Sequence, residues 1–287
     1  MSDQFSAPSS AVVPLDEQVA RANESGRVPV VFIHGLWLLP SSWDRWAELF
    51  AAAGYAPVSP GWPDDPDTVD EANADPGVFA GKTIGMVADH YSKVIGTLTR
   101  RPAVIGHSFG GLLAQIIAGR GEAAATVAID AAPYRGVLPL PLSSLKAAFP
   151  VLGNPANFHR AVPLSFDQFR YSFANAVTEE EARRLYDTFA VPAPGAPLFQ
   201  AATANLNPLT EARVDTRNPD RRPLLIISGA KDNTVPTVIS AAEYKQQRRN
   251  PGVTEFTEIP GRGHALTIDE GWAEVAQTAL DFIRRFT

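Results

Sequence analysis

The feature that most constrains this chain is a tight turn set between two apolar segments. Ala103-Val104-Ile105 has the composition of a buried strand, Leu112–Ala118 opens a helix, and Gly106-His107-Ser108-Phe109-Gly110 joins them. A G-x-S-x-G pentapeptide occurs by chance in many proteins, and its strand–turn–helix context is what gives it meaning. The glycines permit a sharp turn, which presents the Ser108 hydroxyl at the carboxyl end of the sheet and the N-terminus of the helix. There, free N–H groups and the helix dipole stabilise developing negative charge. The bland alternative is a glycine-rich turn that does nothing but start a helix.

The rest of the chain supplies a frame for that turn. Val28–Ile33 is apolar and β-branched, ends in His34-Gly35, and reads as a buried parallel strand with Pro29 at its start. Ala56–Ser59, Ala125–Ile129, Leu224–Ser228 and Val253–Ile259 read as further strands. Helices are expected over about 42–53, 81–99, 235–247 and 270–286, with a Pro- and Asp-rich loop at 60–77. In the last helix Trp272, Val275, Ala276, Ala279, Ile283 and Phe286 form one stripe, as in a helix packed on a sheet. Strands alternating with helices imply an α/β fold with a doubly wound, mostly parallel sheet of about six core strands.

Two stretches depart from that rhythm. Residues 1–27 read as an N-terminal arm or loop, with a short strand at Ala11–Val13. Residues 134–220 are Pro-rich and carry one good helix, Thr178–Ala190, with Thr178 and Glu181 as a capping box. This segment reads as a helical cap inserted over the sheet edge, so that 28–133 and 221–287 form the core.

A serine hydroxyl needs a base, and five histidines are available. His90 falls mid-helix, His159 in the insertion, and His107 precedes Ser108 and points away from the attack direction. His34 ends the first strand, where it holds the loop by hydrogen bonding and faces substrate. His264, in Gly261-Arg262-Gly263-His264 just past the last strand, reaches the same edge as Ser108 and is the best base. The base needs a carboxylate to set its tautomer. Asp232, after the penultimate strand, is the leading candidate; Asp130, at the end of the strand after the nucleophile helix, is its rival. Asp269 is better read as starting the last helix.

The order Ser108, Asp232, His264, together with His34-Gly35 and the Gly106–Gly110 turn, resembles the α/β-hydrolase fold family over about residues 28–286. Within it the chain looks most like small cap-bearing esterases and related perhydrolases and lyases. The resemblance implies that Leu36 and Phe109 give the oxyanion-hole N–H groups and that Trp37 lines the pocket. It also implies that Ser108 departs from the haloalkane dehalogenases, which carry Asp at that position. Many members have two strands before the His-Gly strand, and residues 1–27 do not encode them.

Composition narrows the alternatives. The chain has 287 residues, no cysteine and a formal net charge of −6, so disulfides and thiolate chemistry are excluded and a phosphate-backbone footprint is not expected. No G-x-x-x-x-G-K-[ST], G-x-G-x-x-G or H-E-x-x-H motif occurs, and neither a cofactor nor a metal is expected. No apolar stretch has the length of a membrane span and the N-terminus lacks the form of a signal peptide, so a cytoplasmic enzyme without membrane or nucleic-acid partners is expected. The expected activity is hydrolysis of a small to medium apolar carboxylic ester, with Trp37, His34, Leu138, Leu142 and Phe166 as substrate-lining residues. The same triad also serves carbon–carbon cleavage, lyase and perhydrolase chemistry, and a ligand-binding receptor with vestigial activity is a third reading.

Overall fold

The apolar stretches of the chain become the strands of one parallel sheet. The computed structural model describes residues 13–287. In chain order the elements are α1 (Leu15–Ser25), β1 (Pro29–Ile33), α2 (Asp44–Ala52), β2 (Ala56–Val58), α3 (Val69–Ala74), α4 (Ile84–Gly96), β3 (Ala103–His107), α5 (Phe109–Gly119), β4 (Ala125–Ile129), α6 (Leu142–Leu152), β5 (Ala161–Val162), α7 (Phe166–Ser172), α8 (Glu179–Phe189), β6 (Ala193–Pro194), α9 (Ala196–Ala202), β7 (Leu224–Gly229), α10 (Thr237–Gln247), β8 (Thr254–Ile259) and α11 (Trp272–Arg284). Six strands pair in parallel in the order β2-β1-β3-β4-β7-β8, as the alternation of strands and helices implies.

Both faces of the sheet are covered, which is why the central strands are apolar throughout rather than alternating. Every residue of β1, β3, β4 and β7 is buried. Val30 and Phe32 of β1 pack with Trp43, Trp46 and Phe50 and with Val275, Ala279 and Ile283 of α11. Val31 and Ile33 face the other way, toward α4 and α5. The α5 helix is buried over all 11 residues, FGGLLAQIIAG, and leaves no polar face to solvent. The edge strand β8 is only partly buried and carries Thr and Glu between its apolar residues.

The strand order reverses between β1 and β3. The connection from β1 runs outward to β2, and from β3 the chain proceeds the other way to β4. In open α/β sheets the crevice at the carboxyl ends of such strands is where ligands bind. His34-Gly35 follows β1 and Ser108 follows β3, so the fold brings both to this crevice.

Three segments differ from what the sequence suggests. The expected arm at 1–27 contains α1, whose Leu15, Val19 and Ala22 pack into the core beside β2. The Ala11–Val13 strand falls mostly outside the described residues, and Val13 is not in a strand. Between β4 and β7 the chain forms four helices, α6 to α9, and the small antiparallel ribbon β5–β6, in place of one good helix and no strand. The Thr178 hydroxyl caps α8 by accepting the Glu181 N–H, but Glu181 does not complete the box, because its carboxylate accepts the Glu270 N–H at 2.7 Å.

The α6 helix is amphipathic in the reverse of the usual sense. It buries Ala147 and Val151, while Leu142 and Phe149 are 82% and 69% exposed. Among the described residues no helix is long and apolar enough to cross a membrane.

Candidate active site

Ser108 sits on a strained turn. Its backbone has φ 57° and ψ −122°, a region that costs a non-glycine residue on the order of 1–3 kcal/mol. The surroundings hold it there. Its N–H donates to the Ile129 carbonyl at 2.9 Å, and its own carbonyl accepts the N–H groups of Gly111, Leu112 and Ala132. The turn is so tight that a Cβ at Gly106 would lie 2.0 Å from the Gly110 carbonyl oxygen, and one at Gly110 would lie 2.0 Å from that of Ile33. Both flanking glycines of the pentapeptide are therefore obligatory.

The base and acid arrive on loops after the last two strands. Nε2 of His264 lies 2.9 Å from Ser108 Oγ, and its Nδ1 lies 2.6 Å from Asp232 Oδ2. A carboxylate only accepts, so Nδ1 carries the hydrogen and Nε2 keeps a lone pair toward the serine O–H. The other oxygen of Asp232 accepts the N–H groups of Thr234 at 2.6 Å and Val235 at 2.9 Å. Ser108, Asp232 and His264 are all buried, His264 completely. The structure thus joins the three residues singled out in the sequence in one hydrogen-bonded line.

The loop after β1 closes the other side. A Cβ on Gly35 would lie 2.8 Å from the Ser108 Cβ, so Gly35 packs directly against the serine and Leu36 comes next in the loop. Phe109 opens α5, and its N–H has no carbonyl one turn back in the helix to bind. His34 bridges the Gly35 carbonyl and the Asp65 carboxylate through its two ring nitrogens, at 2.9 and 3.0 Å. Asp65 also accepts the Trp62 N–H and the Lys82 ammonium group, so a buried polar cluster braces this loop. No local signal in the sequence pairs Asp65 with His34, because the two lie 31 residues apart.

Trp37 has a positive φ of 64°, and its indole N–H donates to the Val162 carbonyl at 2.9 Å. Its ring meets Phe173 edge-on, and Phe173 in turn lies 4.9 Å from the His264 ring. Phe173, one of several phenylalanines between β4 and β7, is thus in contact with the base. The remaining lining candidates are elsewhere. Leu138 is 76% exposed and Leu142, at the start of α6, also faces solvent, while Phe166 packs against Tyr186 and under Arg183.

Two further buried titratable groups flank the line. His107 lies 4.6 Å from the His264 ring, and burial, aided by His264, holds its imidazole well below its usual range. Burial and the neighbouring Asp232 push the Asp130 carboxyl well above its usual range. Asp130, Asp232 and His264 place side-chain oxygen and nitrogen atoms within 4.8 Å of one another.

A cleft of about 10 Å³ lies along the loop after β1, lined by His34, Leu36, Trp37, Pro192 and Ala193, and none of Ser108, Asp232 or His264 lines it. A cavity of about 600 Å³ lies instead between α1, α2 and the 59–67 loop, and none of Ser108, Asp232 or His264 lines it. The chemistry of the buried line outweighs cavity size as a guide to the site.

Residues 30–278 match the model of a family described as the alpha/beta hydrolase family. No curated protein matches the chain. Among solved structures, a monoacylglycerol lipase of Paleococcus ferrophilus is 16% identical, with a TM-score of 0.64 over 90% of this chain and 95% of its own. A pyrethroid hydrolase of Sphingobium faniae JZ-2 is 17% identical, with a TM-score of 0.61 over 90% and 97%. An extracellular alpha/beta-hydrolase from a Paenibacillus species, described as sharing structural and functional homology with tobacco salicylic acid binding protein 2, is 20% identical, with a TM-score of 0.61 over 89% and 98%. At these identities the likeness is one of fold.

Proposed function

The chain belongs to the alpha/beta hydrolase family, and from that premise we propose that it is a serine hydrolase that cleaves small to medium apolar carboxylic esters through an acyl-enzyme. The observation that carries the reading is the unbroken line from Ser108 Oγ through His264 to Asp232, at 2.9 and 2.6 Å. Ser108 Oγ attacks the ester carbonyl carbon as its proton passes to Nε2 of His264. The carbonyl oxygen becomes an oxyanion held by the N–H groups of Leu36 and Phe109, each such donor being worth about 10²–10³ in turnover. His264 returns the proton to the departing alkoxide and releases the alcohol. Water then gives a proton to His264, attacks the acyl-enzyme, and frees the acid and Ser108.

In this reading the segment between β4 and β7 is a cap. Supporting it, Phe173 lies against His264, and Val162 accepts the Trp37 indole N–H. Leu36, Trp37, Phe109 and Phe173 around Ser108 favour an apolar acyl group. No cofactor enters the mechanism.

The test is labelling with a fluorophosphonate followed by turnover of an aryl ester. The wild type is expected to take up one label and turn over, and Ser108→Ala to do neither while keeping its melting temperature. Full turnover by Ser108→Ala would sink the assignment.

A further inference from the structure

Behind Asp232 lies a second carboxyl that the reaction above does not use. Asp130 follows β4 with a φ of 39° and is fully buried. One of its oxygens accepts the Gly229 N–H at 2.9 Å. Its Oδ2 finds no donor among the described residues. Asp130 and Asp232 nonetheless place carboxyl oxygens within 4.8 Å of each other in a buried site.

Two buried carboxylates this close repel each other, so one member of the pair is protonated. The donors around them decide which. Asp232 accepts three strong hydrogen bonds, from the Thr234 and Val235 backbone and from His264 Nδ1, and is the charged partner. Asp130 has an oxygen to spare for a proton. We propose that Asp130 is a positioning residue, a neutral carboxyl that donates a hydrogen bond to Asp232 and holds that carboxylate against Nδ1 of His264. The proposal rests on the triad reading.

Burial and the adjacent charge push Asp130 in the same direction. The titratable groups around the pair are Asp232 from the β7–α10 loop, His264 from the β8–α11 loop and, beyond it, His107 from β3. The strained φ of Asp130 fits a side chain bent across the sheet toward Gly229. The rival occupant of this cluster is a cation. It would need both carboxyls ionised and would compete with the Nδ1 hydrogen for Asp232.

The experiment is the pH profile of kcat/KM with 4-nitrophenyl butyrate for the wild type, Asp130→Asn, Asp130→Ala and Asp130→Leu, with Ser108→Ala alongside. Asparagine carries an N–H donor where the protonated acid carries O–H. It is expected to leave kcat within about threefold and the acid limb unmoved. Alanine and leucine remove the donor, so Asp232 becomes more basic and His264 holds its proton to higher pH. The acid limb then moves up by about half a pH unit or more, and kcat falls about tenfold. A merely structural role would lower the melting temperature without moving the limb. If either apolar variant folds and keeps the wild-type limb, or if Asp130→Asn moves it as far as they do, the proposal is overturned. Activity that EDTA abolishes and a divalent metal restores overturns it in favour of the cation. Full turnover by Ser108→Ala would instead remove the triad reading itself.

Discussion

At the scale of single residues, the His264 tautomer is the most sensitive property of the site. Asp232→Asn keeps an acceptor for Thr234 and Val235 but turns an amide N–H₂ toward Nδ1. The ring must then accept at Nδ1 and carry its hydrogen at Nε2, where it can no longer take the Ser108 proton. The expected loss is on the order of 10⁴ in kcat, with little change in melting temperature, measurable on any aryl ester. A second residue-scale prediction concerns Glu243 on α10. Its carboxyl is fully buried, bonded to Gln115 at 3.1 Å, and pushed well above its usual range by desolvation. A raised folded-state pKa means that the folded form keeps a proton the unfolded chain gives up above about pH 4.3. Wild-type stability is therefore lost as pH rises from there toward the folded-state value. Glu243→Gln removes that dependence, so its melting temperature relative to wild type should climb between pH 4.5 and 8; a constant difference would refute the neutral assignment. Ser108, His264 and Asp232 are legible in the sequence because each follows a recognisable strand. Asp65, Phe173 and the pairing of Asp130 with Asp232 are not, because they depend on which loops meet in space.

At the scale of elements, apolar periodicity is informative only when the apolar side faces in. The stripe of α11 announces itself, and α8 likewise, with Ala182 and Leu185 buried. In α1 the signal is present but thin, carried by Leu15, Val19 and Ala22 among charged neighbours. In α6 the large residues point outward, so the pattern does not tell which face is buried. The short α7 has a legible capping box in Ser165 and Gln168, and only 7 residues to show a period. The two helices therefore respond oppositely to truncation. Phe169 of α7 is fully buried and stacked on Phe173 at 4.9 Å. Phe169→Ala should cost about 3–5 kcal/mol, whereas Phe149→Ser on α6 should stay within about 0.5 kcal/mol. Urea denaturation of both variants checks the contrast, and a large loss for Phe149→Ser would mean that α6 is covered by something its exposure does not reveal.

At the scale of the whole molecule, the proposed acyl pocket predicts a profile rather than a single value. Each methylene that enters an apolar space contributes roughly 0.8 kcal/mol, about fourfold in kcat/KM. The rise should continue for a few carbons and reverse once the apolar pocket is full. A flat series of aryl esters from acetate to dodecanoate, or a preference for charged acyl groups, would refute it. The segment between β4 and β7 bears on a different matter, that of descent and exchange. It is tied to each loop that carries a site residue: Asn233 and Thr234 donate to the Tyr171 and Ser172 carbonyls, Ala265 donates to that of Phe173, and Trp37 donates to that of Val162. A lineage that swapped this segment for a foreign one would have to import acceptors at all these points at once or lose the alignment beneath. The sheet and the segment above it should accordingly have been inherited together, and a chimera that replaces residues 134–220 wholesale should recover its turnover only when the carbonyls of 162 and 171–173 are rebuilt in place.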